Sequence, residues 1–150
     1  MKRNENIILL SRDHHFGLLC SWKIRQGLKK GIEILRIKKY IRYFWEHHLR
    51  VHFREEEQIL FPYLEDDYSH RVKTEHTQIG EAVLQTENSE NPDFLLNFAN
   101  LLEQHIRFEE REWFPHLEKN LESGVLEKIG KELDKIHSAE NDDYQDEFWK

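Results

Sequence analysis

Apolar residues recur three and four positions apart along almost the whole chain, which is the spacing of amphipathic helices. The first stretch, over about residues 8–29, places Ile8, His15, Leu18, Leu19 and Trp22 on one side. Gly31 follows Lys29 and Lys30 and is the expected stop, since glycine accepts the left-handed conformation that closes a helix and basic side chains suit its negative end. A second helix, about 33–60, carries Ile37, Ile41, Trp45, His48, His52, Glu56 and Ile59 as one stripe, with Pro62 and the acidic Glu65-Asp66-Asp67 closing it. Ser69 is the expected cap of a third helix, which runs to about Gln85 with Val72, His76, Ile79 and Val83 inward. Asn88-Ser89-Glu90-Asn91-Pro92-Asp93 is the clearest turn in the chain. A fourth helix, about 93–121, aligns Phe94, Phe98, Leu101, His105 and Glu109. Ser123-Gly124 then breaks the pattern before a short fifth helix with Val125, Ile129, Leu133 and Ile136. These elements predict an all-α fold: an antiparallel up-down-up-down four-helix bundle with an additional short C-terminal helix. The acidic tail over 138–150 ends in Phe148-Trp149, an apolar pair expected to dock on the protein's own surface.

Composition narrows the function classes. A length of 150 residues is expected to form one domain, with the bundle at about 8–121 and the C-terminal helix and tail at about 123–150. A net charge of −7 argues against a protein that grips nucleic acid by neutralising phosphates. One cysteine, Cys20, excludes an internal disulfide framework and a cysteine-based zinc site, and points to a reducing compartment. The apolar run Ile7–Leu10 is too short for a secretory signal, and no run approaches a membrane span, so the expected location is the cytoplasm. The ten histidines are the anomaly in the composition.

An internal repeat gathers several of them. His52–Asp66 aligns with His105–Lys119, and eight of the 15 positions are identical, including His52/His105, Glu56/Glu109, Glu57/Glu110 and Phe61-Pro62/Phe114-Pro115. The chain therefore reads as a duplicated helical hairpin. Each His-x-x-x-Glu puts an imidazole and a carboxylate one turn apart on one helix face. The face is the apolar stripe, where an unpaired glutamate would cost several kcal/mol to bury. His15 and His76 sit on the other helix of each hairpin. The midpoints of His15/His52, His52/His76 and His76/His105 all fall in or beside the expected turns, so the four histidines share roughly one level of the bundle. His15 is preferred to His14 here, because His15 shares a face with Leu18 and Trp22. His48 is open as a further ligand, a supporting group or a core residue. His47, His70, His116 and His137 are expected at the surface, and Glu57 and Glu110 beside Arg or Lys on solvent faces.

Four inward histidines and two inward glutamates suit iron, manganese or zinc, and are too many ligands for one structural zinc. The expected arrangement is a dinuclear centre in which His15, His52, His76 and His105 donate nitrogen, and Glu56 and Glu109 bridge two metal ions. No histidine has a glutamate three residues before it, which argues against the Glu-x-x-His ferritin-like pattern.

These motifs resemble the hemerythrin-like (HHE cation-binding) family over about residues 8–120. The likeness rests on a histidine early in the first helix, His52-x-x-x-Glu56-Glu57 with Phe61-Pro62, Glu75-His76, and His105-x-x-x-Glu109-Glu110 with Phe114-Pro115. The resemblance implies a non-haem di-iron centre in a four-helix bundle. In the family's oxygen carriers that centre binds dioxygen reversibly, and other members are linked to sensing of oxygen, iron or nitric oxide and to peroxide chemistry. Two departures from the carrier pattern stand out. Gly80 occupies the place of a second histidine in a carrier His-x-x-x-His, and Glu109 replaces an aspartate. The expected function is binding of dioxygen or a related small ligand at two iron ions, for oxygen, redox or iron sensing or storage. The alternatives are a di-iron enzyme that reduces peroxide or nitric oxide, and a metal-stabilised interaction module. The last would use Asp142-Asp143-Tyr144 through Trp149 to meet a protein partner or a second copy of the chain.

Overall fold

The computed structural model describes residues 2–138 and 143–150; Asp142 of the expected partner contact lies outside them. Four helices form the bundle and a fifth packs on it. They are α1 (Ile8–Lys29), α2 (34–60), α3 (Asp67–Glu87), α4 (92–120) and α5 (Ser123–Ile136). Each of α1 to α4 packs against its neighbours in chain order, and α4 returns to α1, which closes the antiparallel ring. The closest pairing is α1 with α4. Gly17 lets Ile106 come up to the α1 backbone, and the Ser21 hydroxyl donates to the Ala99 carbonyl at 3.0 Å.

The helix ends follow local chemistry. Gly31, at φ 69°, ends α1 with bonds from Gly31 N–H to Leu28 and from Ile32 N–H to Gly27, the paired contacts of a left-handed helix stop. The expected Ser69 cap is corrected. Asp66 is the N-cap of α3, accepting from Tyr68 and Ser69 N–H, and Ser69 instead accepts from the Asp66 N–H as the third residue of a capping box. The acidic run after α2 thus begins the next helix as well as closing the last. Asn91 caps α4 through Asp93 N–H, with Pro92 preset for the first turn.

Two apolar cores lie at opposite ends of the bundle. One gathers Ile24, Ile37, Ile41, Val83, Leu95 and Phe98. The other gathers Leu10, Leu60, Val72, Phe114, Ile129 and Leu133, which is how α5 is held. The tail docks on the first core: Phe148 and Trp149 are buried around Tyr40, Phe148 fills the space beside Gly27, and Arg36 clamps Asp146 through two hydrogen bonds of 2.6 and 2.9 Å. On every bundle helix a short polar stretch separates the two cores. It holds Asp13 and His14 on α1, His52, Glu55 and Glu56 on α2, His76 on α3, and His105 and Glu109 on α4, with Phe53, Ile106 and Phe108 of the cores interleaved.

Candidate metal centre

The polar layer coincides with breaks in helix geometry. In α2 the α-helical stretch Arg50–Glu55 passes into a π-helical turn, Glu56–Leu60; in α4 the stretch Pro92–Phe108 passes into another, Glu109–Trp113. Both π turns start at the glutamate of the repeated His-x-x-x-Glu. The π turns close through the Phe61 N–H to the Glu56 carbonyl and the Phe114 N–H to the Glu109 carbonyl, one residue before Pro62 and Pro115, which have no N–H to continue the ladder; a further π turn, Trp45–Leu49 earlier in α2, has no proline beside it.

Two groups of potential metal donors result. His14, His52, Glu56 and Glu109 form one, and Glu56, His76, His105 and Glu109 the other; every residue is buried, and within each group the donor atoms lie within 4.8 Å of one another. The two glutamates belong to both. Glu56 turns Oε2 to His52 Nε2 at 3.1 Å and Oε1 to His76 Nε2 at 2.9 Å. Glu109 turns Oε1 to His14 Nε2 and Oε2 to His105 Nε2, both at 2.8 Å. In the second group, Glu56 Oε1, Glu109 Oε2, His76 Nε2 and His105 Nε2 are all buried without a hydrogen-bond partner. They converge on a common point at angles that no hydrogen bond satisfies. Buried polar atoms are rarely left so, and four together fit a cation between them. The donor set, imidazole nitrogen with carboxylate oxygen, is one that iron accepts.

Each imidazole is fixed from behind. His14 Nδ1 meets Glu110 at 2.6 Å, His52 Nδ1 meets Asp13 at 2.9 Å, His76 Nδ1 meets Glu57 at 2.7 Å and His105 Nδ1 meets Glu75 at 2.6 Å. A carboxylate on Nδ1 holds the proton there, leaves Nε2 for a metal, and makes that nitrogen more basic. Burial alone would push these histidines below their usual pKa, but the surrounding carboxylates win. His14 rises to about 9 through Glu109 and Glu110, and His76 to about 10 through Glu109, Glu56 and Glu57; His52 and His105 also rise. The His76 hydrogen bond, against a smaller effect of burial, lowers Glu57 to about 2. A charge balance that here draws protons onto imidazoles is one a divalent cation can take over.

The structure brings His52, Glu56, His76, His105 and Glu109 together, but not His15. His15 is exposed, its ring edge-on to Phe16, and His14 takes the inward place. The expectation failed because it took Leu18 and Trp22 as the inward face, whereas Trp22 is 47% exposed and the buried stripe of α1 runs through Leu10, Asp13, His14, Gly17, Ser21 and Ile24. Glu57 and Glu110 do meet Lys73 and Arg3, but each also meets a buried imidazole, His76 at 2.7 Å and His14 at 2.6 Å, so the solvent-face reading is also corrected. His137 is not a surface residue: its side chain is 6% exposed, between Glu55 and Asp13. His48 packs on Phe44 and Tyr43 and joins neither donor group. Of the supporting carboxylates, Asp13 was not singled out and Glu75 entered only within the Glu75-His76 motif, although the dipeptides Asp13-His14 and Glu75-His76 repeat an acidic residue before histidine.

Among the described residues, two open clefts reach the edges of the centre, one of about 360 Å³ at Phe53, Glu57 and His76 and one of about 350 Å³ at Asp13, His52 and His137, and a third, more enclosed space is small and mostly apolar. A cavity of about 10 Å³, room for the centre of one water-sized molecule, is lined by Asp13, His14, Gly17, Phe44, Leu49, His52, Phe53, His105 and Ile106. On the far side, a Cβ at Gly80 would stand 3.4 Å from the Trp45 ring, so the indole lies where a longer side chain at that position would extend.

The hemerythrin HHE cation binding domain model matches residues 15–117. No curated protein and no solved structure matches the chain. Among the described residues, no helix is long and apolar enough to cross a membrane.

Proposed function

The chain belongs to the hemerythrin HHE cation-binding family, and from that premise we propose that it binds dioxygen or a related small ligand at a di-iron centre, in a sensing, storage or redox-response role. The ligand set is His14, His52, His76 and His105, with Glu56 and Glu109 bridging. The observation that carries this reading is the pair of donor groups sharing two carboxylates, with the water-sized cavity against three of the four histidines. Four protein donors for each ion leave coordination positions open, and iron supplies redox-active binding of a small molecule at such positions. The protein side chains do the rest. Asp13, Glu57, Glu75 and Glu110 orient the imidazoles. Phe44, Leu49, Phe53 and Ile106 restrict the ligand to a few atoms and keep bulk water out.

The test is iron content on anaerobically purified protein, with absorption spectra before and after air. Two irons per chain, with a visible band that appears with oxygen and reverses on its removal, is the expected result. Turnover of added peroxide by the iron-loaded protein would favour an enzyme instead. Absence of iron after loading would refute the ligand set.

A further inference from the structure

The two donor groups match through the carboxylates behind the histidines and diverge one step further out. Behind His105 stands Glu75, whose other oxygen takes a 2.9 Å hydrogen bond from Arg71. The Arg71 side chain is 54% exposed and rests on the Phe108 ring at 3.7 Å. Behind His52 stands Asp13, whose other oxygen lies 3.3 Å from Nε2 of His137. His137 then meets Glu55 through Nδ1 at 2.7 Å. Glu55 and Phe108 are equivalent positions of the repeat. In one half the outermost support is therefore a water-exposed cation on an aromatic ring. In the other it is a histidine whose side chain is 6% exposed, at the edge of a cleft and between two buried carboxylates, delivered from outside the repeat by the end of α5.

We propose that His137 is a positioning residue for the metal position at His14 and His52: gripping Asp13 and Glu55 together, it fixes the carboxylate that aims His52 and makes the two iron positions unequal. This rests on the ligand set proposed above. Aspartate has only two side-chain torsions, and with both oxygens engaged its plane, and with it the His52 ring, has one orientation. Polar contacts in a buried setting are stronger than those a solvent-exposed arginine makes. Outer partners of this kind tune ligand basicity and metal affinity. The C-terminal helix, which contributes no metal donor, thereby acts on one ion and not the other.

The experiment is Mössbauer spectroscopy of protein loaded with two iron-57 ions, together with removal of iron by a chelator. Wild type should give two quadrupole doublets of equal area and different splitting. His137→Ala should move one doublet and weaken one of the two ions about tenfold, whereas Arg71→Ala should move the other doublet. His137→Gln, which can still donate to Asp13, should restore most of the wild-type spectrum. Because His137→Ala strands Glu55 in the core, the double variant Glu55→Leu/His137→Leu removes the link without leaving a buried charge, and should move the same doublet. A single wild-type doublet overturns the proposal, as do variants that shift both doublets together or neither. A wild-type chain that cannot hold two irons overturns the ligand set itself, and this inference with it.

Discussion

The two halves of the centre share a motif and differ in everything that surrounds it. Both contribute His-x-x-x-Glu-Glu, a π turn at the glutamate, and an acidic residue before the partner histidine. The donors of the first group, around His14 and His52, hydrogen-bond to one another, while all four of the second, around His76 and His105, lack partners. Phe53 stacks on His76 with ring centroids 3.8 Å apart, whereas Ile106, its repeat equivalent, lies against Gly17; both line the small cavity. The lesson is that a duplicated ligand layer constrains only the atoms that must converge. The residues behind and beside them are free to make one position differ from the other.

The bridging glutamates are the strongest test, because they belong to both halves. Each gives one oxygen to each group, so Glu56→Ala or Glu109→Ala should take iron from two per chain to nearly none, measured by elemental analysis after loading. A variant that kept both ions would break the bridging assignment. Removal of one histidine should act on one half alone, so His14→Ala and His105→Ala should each leave about one ion. His15→Ala, in contrast, should leave both, since that ring is exposed. Loss of iron in His15→Ala with retention in His14→Ala would reverse the register of α1.

That register marks the boundary of what was legible from the residues. The helices, their turns and the level at which inward histidines and glutamates gather were readable because apolar periodicity and the His-x-x-x-Glu repeat each recur many residues apart and agree. Helix α1 was misread by one residue because its apolar pattern is weak: Leu18 is half-buried and Trp22 faces outward, while the buried stripe includes Asp13, Gly17, Ser21 and even Lys23. Periodicity cannot find a face built from polar and small residues. The carboxylates behind the histidines were missed for a different reason. Glu57 and Glu110 lie one residue past the ligand, where a regular helix would carry them away from it, and the π turns that begin at Glu56 and Glu109 are not encoded by hydrophobic spacing. His137 reaches the site through tertiary packing alone.

Titration should sharpen the comparison in metal-free protein. His14 rises to about 9 and His76 to about 10, so the stability they add is fully present below the unfolded value near 6.5. It is lost as pH climbs through the folded values, first at His14 and then at His76. Glu57, lowered to about 2, works in the opposite sense: its contribution is present above its ordinary pKa of 4.5 and is lost as pH falls toward 2. The thermal midpoint of metal-free protein should therefore peak between about pH 4.5 and 6.5 and decline up to pH 10. Iron needs the imidazoles neutral, so iron loading should remove the alkaline decline while iron retention weakens toward acid. Matching alkaline limbs with and without iron would mean that the histidines are not ligands.

The smallest expected effect lies at the cavity, and it isolates ligand access from metal binding. Gly17 stands three residues after His14; the same step after His76 reaches Ile79, which is buried in the core. The absent side chain at Gly17 is what lets Ile106 approach α1, and the small cavity lies beside that contact. A Cβ at Gly17 would run into the terminal methyl of Ile106, the flexible end of a side chain that lines the same cavity. Gly17→Ala gains about 1 kcal/mol of helix propensity and loses about 1–3 kcal/mol to overpacking, so stability should fall by about 0–2 kcal/mol, read as a modest drop in thermal midpoint. Both irons should remain, because no donor is touched. The cavity has room for one water-sized molecule, and a methyl group with a displaced Ile106 would consume it. The oxygen-dependent absorption change of the iron-loaded variant should then be weakened, with the iron content unchanged. An undiminished change would place the ligand elsewhere, with the Trp45 and Gly80 side of the second group as the next surface to probe by Trp45→Ala.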